Sequence, residues 1–402
     1  MSQYTTKQGD TYALISRRLF GNETETPRIR KANPSISEPF KNGEILFIPD
    51  NPSKSKVSAS DDDVTVLIDS KEYTFWQSVT LSQSFNSFDS VSIVAPFEPE
   101  NAAFRETFKP FSYKSIEIFI GSEIVFSGTQ MGVTPNVTPQ SKTVTLSAYS
   151  RCAVINDSCV PISAYPVELK SRKLDKITQM LTDSFPFNTT IDTDVGASFL
   201  NVSIEHDKRI APFLAELCKQ RDVVMTNDFE GNLLITKATD SESIAHLRDD
   251  SAPVVSISPR FDEQNYYSDY TAVLPMTIRN NNASYTAKNR KLTNVMRIDN
   301  YMATDSFPGD ERVVAESRRN RGLANSISYR CMLSTLRDPK GALYKVNTNI
   351  NMTAPTAMIY NDTKLFIRGV IFYFESKSRS CELDLVLPES YNGKEVEVLP
   401  WE

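Results

Sequence analysis

The sequence predicts a multidomain α+β protein, in which a short βααβ module precedes two β-barrel-like units that flank a small α+β domain. Short runs of alternating apolar and polar residues, separated by turn residues, fill two regions, 64–164 and 254–402, and this pattern is typical of small barrels or sandwiches. The region between them, 165–253, combines helical spacing with strand-like runs. With 402 residues, the chain is long enough for two to four domains, each with its own core.

The first 50 residues predict the βααβ module. The elements are, in order, a strand at 3–5, helices at 12–20 and 27–32, and a closing strand at 44–49. Asp10 or Thr11 can cap the first helix, because a side-chain oxygen there accepts a hydrogen bond from the free amides of the first turn. The next segment, 51–63, is rich in serine and charge, so we expect a linker.

This module resembles a known domain family. The residues that carry the resemblance are Tyr4, Gly9-Asp10-Thr11, Ala32-Asn33-Pro34, Ile36, Gly43 and Leu46-Phe47-Ile48-Pro49. At these spacings, residues 1–50 resemble a LysM domain, which implies a shallow groove that binds the N-acetylglucosamine backbone of peptidoglycan or chitin. The groove residues that the resemblance implies are Gly9, Asp10, Thr11 and Tyr12 on one side and Asn33, Pro34, Ser35 and Ile36 on the other.

The sequence leaves two alternatives to glycan binding. Asp10 and Thr11 can serve only to cap a helix, and Asn33-Pro34 only to end one. LysM folds also serve as protein-docking modules, so the same surface can bind a neighbouring protein.

The first β unit is predicted strand by strand. The alternation over 64–68 predicts a strand with one buried face, and the polar turn 69–72 predicts a hairpin with a second strand at 73–81. A second hairpin turns at Gly121-Ser122, and a strand at 143–148 closes the unit.

The middle domain and the second β unit follow. Ile210, Leu214 and Leu217 predict a helix with Pro212 in its first turn, where the missing N–H costs nothing. The other predicted elements are a helix near 170–182, a hairpin at 222–236, strands at 254–257 and 266–274, an exposed polar loop at 279–291, a charged helix at 311–325, and strand-like runs at 326–332, 343–352, 364–376 and 380–387.

A second resemblance covers residues 64–388. The residues that carry it are 64–68, 73–79, Phe88, Gly128, 148–152, 214–218, Phe261-Asp262-Glu263, Tyr266, Tyr270, 367–370 and 383–391. In this order they resemble the baseplate hub protein of Mu-like contractile phage tails, the late-control D and VgrG hub lineage. The resemblance implies a homotrimer in which two related barrels per subunit make a pseudo-sixfold ring that joins the tail tube to the spike and leaves a channel for DNA. The LysM-like start departs from this family, whose typical members begin at the first barrel.

Composition restricts the partners. Lys and Arg number 44 and Asp and Glu 50, a net charge of −6, which gives no general attraction to nucleic acid or to anionic membranes. We see neither a secretory signal nor a segment of the roughly 18 apolar residues that a membrane span needs. The five cysteines match no zinc spacing and the histidines number two, so we expect buried reduced thiols, no metal and no cofactor.

No catalytic motif emerges, so the sequence predicts a protein that is not an enzyme. His206 and His246 lie outside nucleophile motifs, and no glycine-rich phosphate loop is present. The arginines at 312, 318, 319 and 321 favour ion pairs within or between chains over nucleic-acid binding, since no aromatic residues are interleaved with them. The leading hypothesis is a structural hub in the virion tail baseplate, assembled in the host cytoplasm; the alternative is a LysM-mediated peptidoglycan-binding accessory protein, and a wall hydrolase is least favoured.

Overall fold

The structure, a computed structural model, describes residues 2–6, 10–20, 26–33, 36–41, 43–48, 62–165, 167–274, 284–303, 310–375 and 378–402. Two compact units divide the chain: 1–65 with 119–123, and 66–118 with 124–402. Of the predicted linker 51–63, only Asp62 and Asp63 lie among the described residues.

The N-terminal segment has the order strand, helix, helix, strand. Its elements are β1 (Ser2–Thr5), α1 (Tyr12–Phe20), α2 (Thr26–Ala32) and β2 (Ile45–Ile48). Strands β1 and β2 pair antiparallel, with Tyr4 opposite Leu46. The apolar core of the segment consists of Tyr12, Ile15, Ile29, Phe40, Leu46 and Ile48.

The first β region contains seven strands and one short helix. They are β3 (Val64–Ile68), β4 (Lys71–Glu72), β5 (Ser78–Ser84), β6 (Ser90–Pro96), α3 (Ala102–Thr107), β7 (Ser115–Ile120), β8 (Glu123–Val137) and β9 (Lys142–Ser150). Alternate residues of β5 and β6 are buried, as period-two sequences require when one face of a sheet is covered.

The middle region is a small α+β body. Its elements are β10 (Glu168–Arg172), α4 (Leu174–Thr182), β11 (Thr189–Ile191), β12 (Phe199–Ser203), α5 (Ile210–Gln220), β13 (Val224–Asn227) and β14 (Leu233–Thr236). One apolar core unites its helices and strands, and Cys152, Ile155 and Val160 also belong to this core.

Among its described residues, the second β region has nine strands and two helices. They are β15 (Ser243–Arg248), β16 (Val254–Phe261), β17 (Asp269–Val273), β18 (Ser284–Lys288), β19 (Ile298–Met302), α6 (Glu311–Ser326), β20 (Ile327–Leu333), β21 (Asn349–Ala354), β22 (Ile359–Glu375), β23 (Arg379–Val386) and α7 (Glu389–Asn392). The predicted exposed loop at 279–291 is a strand at 284–288, where β18 pairs with β17 as a polar and mostly exposed edge strand; residues 279–283 lie outside the described residues.

The two β regions share one 13-stranded sheet and repeat the same strand order. The first region reads β5-β6-β9-β8-β7-β3 along the sheet, and the second reads β16-β20-β23-β22-β21-β15. When the strands of each region are numbered in chain order, both regions have the same permutation, with β4 left out of the first and β17–β19, which form a sheet of their own, left out of the second. The outermost matched strands, β15 and β3, differ in direction. Strand β15 is parallel to its neighbour β21. Strand β3 is antiparallel to its neighbour β7, because Asp69 N–H donates to Ser115 O and Gly121 N–H to Asp63 O.

The repeat extends to an irregularity in the longest strand of each region. Strands β8 and β22 shift register against β9 and β23 just before a glycine, Gly132 in one and Gly369 in the other. Such a shift is a β-bulge, which bends the strand and increases its twist. Because bulge and strand order recur together, we treat 64–150 and 243–386 as two copies of one topology.

One sequence-based pairing is wrong. Strand β3 does not form a hairpin with the strand that contains Val79 and Leu81; it pairs with the two-residue β4 instead. Val79 and Leu81 lie in β5, which pairs with β6 and with β22 of the second region. Alternation specifies which face of a strand is buried and leaves its partner undetermined.

Candidate functional site

Tyr12 brings the two sides of the predicted groove together. Its side chain is 1% exposed, and its hydroxyl donates to Ile36 O at 2.7 Å and lies 3.4 Å from Asn33 O. Burial raises the pKa of Tyr12, with the Glu38 carboxylate adding to the effect. The tyrosine therefore connects α1 to the chain after α2 through its hydroxyl, and its ring is part of the core.

The Asn33 side chain also forms hydrogen bonds within the module. It is 3% exposed, and its amide nitrogen donates to Ile29 O at 2.8 Å and Phe47 O at 2.7 Å, while its amide oxygen accepts from Phe47 N–H at 2.7 Å. These bonds use both donors of the amide. Asn33 thus joins the end of α2 to β2.

The remaining described groove residues lie at the start of α1. Asp10 is buried and accepts a hydrogen bond from the Tyr4 hydroxyl at 2.9 Å, and Thr11 Oγ1 accepts from Leu14 N–H at 3.1 Å, which is helix capping. Gly9, Pro34 and Ser35 lie outside the described residues. The structure thus brings Tyr12, Asn33 and Ile36 into contact, and glycan binding by this groove stays a prediction.

Sequence reasoning missed three exposed apolar side chains in this segment. Leu14, Ile45 and Phe47 are 45%, 51% and 48% exposed. The run Ile45–Ile48 is apolar throughout, so periodicity could not show that its alternate residues face outward.

The second candidate site is the junction where the two β regions meet. Strand β22 pairs with β21 along its first part and with β5 along its second, while β23 follows its opposite edge. The β5 pairing runs antiparallel from Gly369 opposite Ser84 to Glu375 opposite Ser78. The apolar side chains at the junction are as buried as those of a domain core, since each is at most 1% exposed: Val79, Leu81, Phe372 and Phe374.

A charged pair reinforces β22 at its bulge. The Arg368 guanidinium donates to both carboxylate oxygens of Asp384 at 2.8 and 3.0 Å, and to Ala324 O at 3.0 Å. A bidentate pair fixes geometry as well as charge. It ties β22 to β23 and to the last turn of α6.

The middle region is attached to the first β region through a buried carboxylate. Asp89, 5% exposed, accepts from Ser84 N–H at 3.1 Å and from the Asn227 amide at 3.0 Å, and its own N–H donates to Asn227 Oδ1 at 2.7 Å. Burial raises the pKa of Asp89 to about 7, while these hydrogen bonds oppose the shift. Nearby, Cys152 N–H donates to Gly231 O at 2.9 Å.

The four arginines of α6 have partners within the chain. Arg312 pairs with Glu316 at 2.9 Å, Arg318 with Asp299 at 2.8 Å and Arg319 with Glu395 at 3.7 Å. Arg321 donates to Val223 O at 2.8 Å. The helix thus joins the middle region to the second β region, which agrees with the intrachain alternative.

Other chemistry-bearing side chains are placed as follows. Four of the five cysteines are buried and all are reduced, and burial raises the pKa of Cys152 and of Cys218 to about 12. The His206 ring stacks on Tyr165 at 3.9 Å. Over the described ranges, no group of three His, Cys, Asp or Glu side chains is placed to share a metal ion. No helix in the same ranges has the length and apolar character needed to cross a membrane.

Comparison with known proteins gives one family match, in the middle region. Residues 152–237 match the family described as "Baseplate hub protein gp44-like, second domain". The match begins at Cys152, the first residue of the middle region's core. No curated protein sequence matches the chain.

Three solved structures share the fold. The 43 kDa tail protein of prophage MuSo2 from Shewanella oneidensis is 19% identical with a TM-score of 0.70, and the alignment covers 82% of this chain and 99% of that one. A tail protein from Neisseria meningitidis MC58 is 15% identical with a TM-score of 0.69, covering 82% and 98%. The prophage tail protein gp18 from Listeria monocytogenes EGD-e is 11% identical with a TM-score of 0.51, covering 80% and 94%. The chain therefore has the mixed, mostly β fold of these tail proteins.

Proposed function

We propose that this chain is a structural subunit of the baseplate hub of a contractile phage tail or a related tail-like machine. Three copies form a homotrimer that joins the tail tube to the central spike and surrounds part of the DNA passage. The observation that carries the proposal is the strand order that the two β regions, 64–150 and 243–386, repeat in one chain. Three copies of a twofold repeat offer six similar units, as an adaptor between threefold and sixfold neighbours requires.

The proposed role is structural and not catalytic, in the virion tail baseplate after assembly in the host cytoplasm. The partners are the tube and spike proteins, without specific nucleic-acid binding or membrane insertion. A net charge of −6 and arginines engaged in internal pairs support passage of DNA without tight binding.

The domain division in this proposal is a LysM domain at 1–50, a linker at 51–63, hub barrels at 64–164 and 254–402, and the α+β domain at 165–253. The LysM module binds peptidoglycan or docks a neighbouring baseplate protein. The exposed Leu14, Ile45 and Phe47 side chains favour docking, since apolar side chains on a small module suit a protein partner.

Light scattering on the purified chain tests the hub proposal. We expect a mass three times 45.2 kDa, the mass of one chain. A monomer at every concentration would contradict the adaptor and leave the accessory-protein alternative. Particle maps of the assembled tail, with the chain at the tube-to-spike joint, provide an independent measurement.

Sedimentation with insoluble peptidoglycan tests the N-terminal module. If the module binds glycan, the full chain pellets with the wall and the chain without residues 1–50 stays in solution. If both stay in solution, docking to a baseplate protein is the remaining role. Clearing of the wall by the full chain would support the hydrolase hypothesis instead.

A further inference from the structure

Several edges of the large sheet have no partner strand in the part of the chain that the structure describes, among them β15 and the two-residue β4, and two others are related by the repeat. One is the outer edge of β8 beyond its bulge, residues 132–137. Its neighbour β7 begins at Ser115, and the last contact on that side is Gln130 N–H to Lys114 O at 2.8 Å. The other is the outer edge of β16, which pairs only with β20.

The repeat relates these two edges to a pair that already exists. The counterpart of β8 is β22 and the counterpart of β16 is β5, and β22 and β5 pair over seven residues. Within one copy, β16 and β8 are not neighbours in the sheet: seven strand spacings, about 34 Å measured along the sheet, lie between them. A second copy can therefore present the missing edge.

We propose that β16 of one copy pairs antiparallel with residues 132–138 of the next copy. This repeats between copies the junction that β5 and β22 make within each copy. The proposal rests on the trimer of the proposed function and names the strands that hold it together. A head-to-tail contact of this kind closes into a ring when the rotation matches.

The bulges fix the register of this contact. Matching Gly132 to Gly369 places Val137 where Phe374 lies. Matching Leu146 to Leu383 makes Ile93 equivalent to Cys331, because each lies opposite the matched leucine. Val79 lies opposite Ile93 and Ile257 opposite Cys331, so Ile257 is equivalent to Val79. Because Phe374 lies opposite Val79, Val137 is expected opposite Ile257 of the neighbouring copy.

The side chains alternate as the register requires. The pairs on the face equivalent to the buried one are Val133 with Phe261, Pro135 with Pro259 and Val137 with Ile257, and all six are apolar. The pairs on the other face are Thr134 with Arg260, Asn136 with Ser258 and Thr138 with Ser256, and all six are polar. Val137 and Phe261 are 56% and 38% exposed in the single chain, and pairing would cover them.

Four main-chain N–H groups point outward, toward the proposed partner strand. Thr138 N–H donates inward to Ser141 O and Asp262 N–H to Ser326 O, both at 2.8 Å. By strand alternation, the amides of Val133, Val137, Ile257 and Phe261 face outward. Pro135 and Pro259 meet at the central position and donate nothing, so this contact has fewer main-chain bonds than β5 with β22. Proline on an edge also disfavours pairing with unrelated strands.

A disulfide across the contact tests the proposal. Asn136 and Ser258 are expected to be a non-hydrogen-bonded pair with Cα atoms about 4.5 Å apart, within the range for a disulfide. The double variant Asn136→Cys with Ser258→Cys should form covalent dimers and trimers on oxidation that reductant reverses. Each single variant reports any background from the five native cysteines, of which four are buried. The matched control, Asn136→Cys with Ser256→Cys, is two residues out of register and should give little cross-linking.

Light scattering of the reduced double variant separates this inference from the hub proposal. A trimer that cross-links only in register supports both. A trimer without cross-links, or with equal cross-links in the control, overturns the strand assignment and leaves the adaptor standing. A monomer overturns the trimer and this contact together.

A charge substitution gives a second readout. Val137→Asp places a carboxylate on the apolar face and should convert the trimer to monomers without lowering the melting temperature of the single chain. Asn136→Asp places the same charge on the polar face and should keep the trimer. If both variants remain trimeric, residues 132–138 are not in the contact.

Discussion

Gly128 lies where two strands approach too closely for a side chain. A Cβ there would lie 2.1 Å from Tyr149 O and 2.5 Å from the Phe126 ring. We expect Gly128→Ala to destabilise the first β region by about 1–3 kcal/mol or more, since overpacked sites force the backbone to move. Thermal unfolding measures the effect.

Gly132 provides the matched control for that substitution. A Cβ there would meet only Ser147 Oγ, at 2.6 Å, and a serine hydroxyl can rotate away. Gly132→Ala should therefore lower the melting temperature much less. Equal losses in the two variants would contradict the assignment of the cost to the close approach at Gly128.

Asp89 predicts a pH dependence of stability. Burial raises its pKa from 3.8 to about 7 in the folded chain. The folded state therefore holds a proton that the unfolded state releases, and the stability from this group is present below about pH 4 and is lost as the pH rises to about 7. Asp228, whose charge raises the pKa further, and Asn227, which lowers it, face the same carboxylate.

Melting temperatures of wild type and Asp89→Asn across this window test the sign. The difference, wild type minus variant, should be largest near pH 4 and shrink toward pH 7, because the asparagine cannot ionise. Asp207→Asn, at an exposed position, should leave the profile unchanged. A difference that grows with pH would mean that the hydrogen bonds outweigh burial.

At the scale of elements, β22 pairs with strands of both β regions, and its buried side chains pack beside theirs. Phe372 is 1% exposed and lies opposite Leu81 on one side and Cys381 on the other. We expect Phe372→Ala to cost about 3–5 kcal/mol, because it removes a ring from a packed core. Tyr373→Ala, at the next and half-buried position, should cost far less; denaturant midpoints compare the two.

Sequence periodicity predicted many elements and few of their partners. It located α1, α5 and α6 and the alternating strands, because burial of one face leaves a local pattern. It could not foresee that β5 pairs with β22, since that contact depends on chain segments far apart in sequence. The polar strand β18 was missed for a related reason: an edge strand with little burial carries almost no periodic signal.

The candidate groove shows the same limit at single side chains. The spacing of Tyr12 and Asn33 marked them as important, and both have several partners in the structure. Pattern alone cannot separate a residue that binds a ligand from one that holds two segments together. The hydrogen bonds of Asn33 to Phe47 give it a structural task that its sequence position did not reveal.

At the scale of the whole molecule, the shared sheet predicts that the two β regions unfold together. The chain has two tryptophans, Trp76 in the first region and Trp401 near the end of the second. Trp401→Phe leaves a reporter of the first region, and Trp76→Phe leaves a reporter of the second. Because β5 and β22 are paired neighbours in one sheet and their side chains share one buried face, we expect both reporters to give the same fluorescence melting temperature.

Adding Phe372→Ala to each single-tryptophan variant makes this test specific. The substitution lies in the second region, so a shift in the Trp76 transition as large as that in the Trp401 transition requires the two regions to unfold as one unit. Tyr373→Ala in the same backgrounds controls for changes that leave the buried face intact. If Trp76 kept its transition while Trp401 lost stability, each region would fold independently, and a trimer would have to hold six separate units in place. In the proposed trimer, a coupled pair would give three rigid subunits, which would lower the ordering entropy that assembly of the ring must overcome.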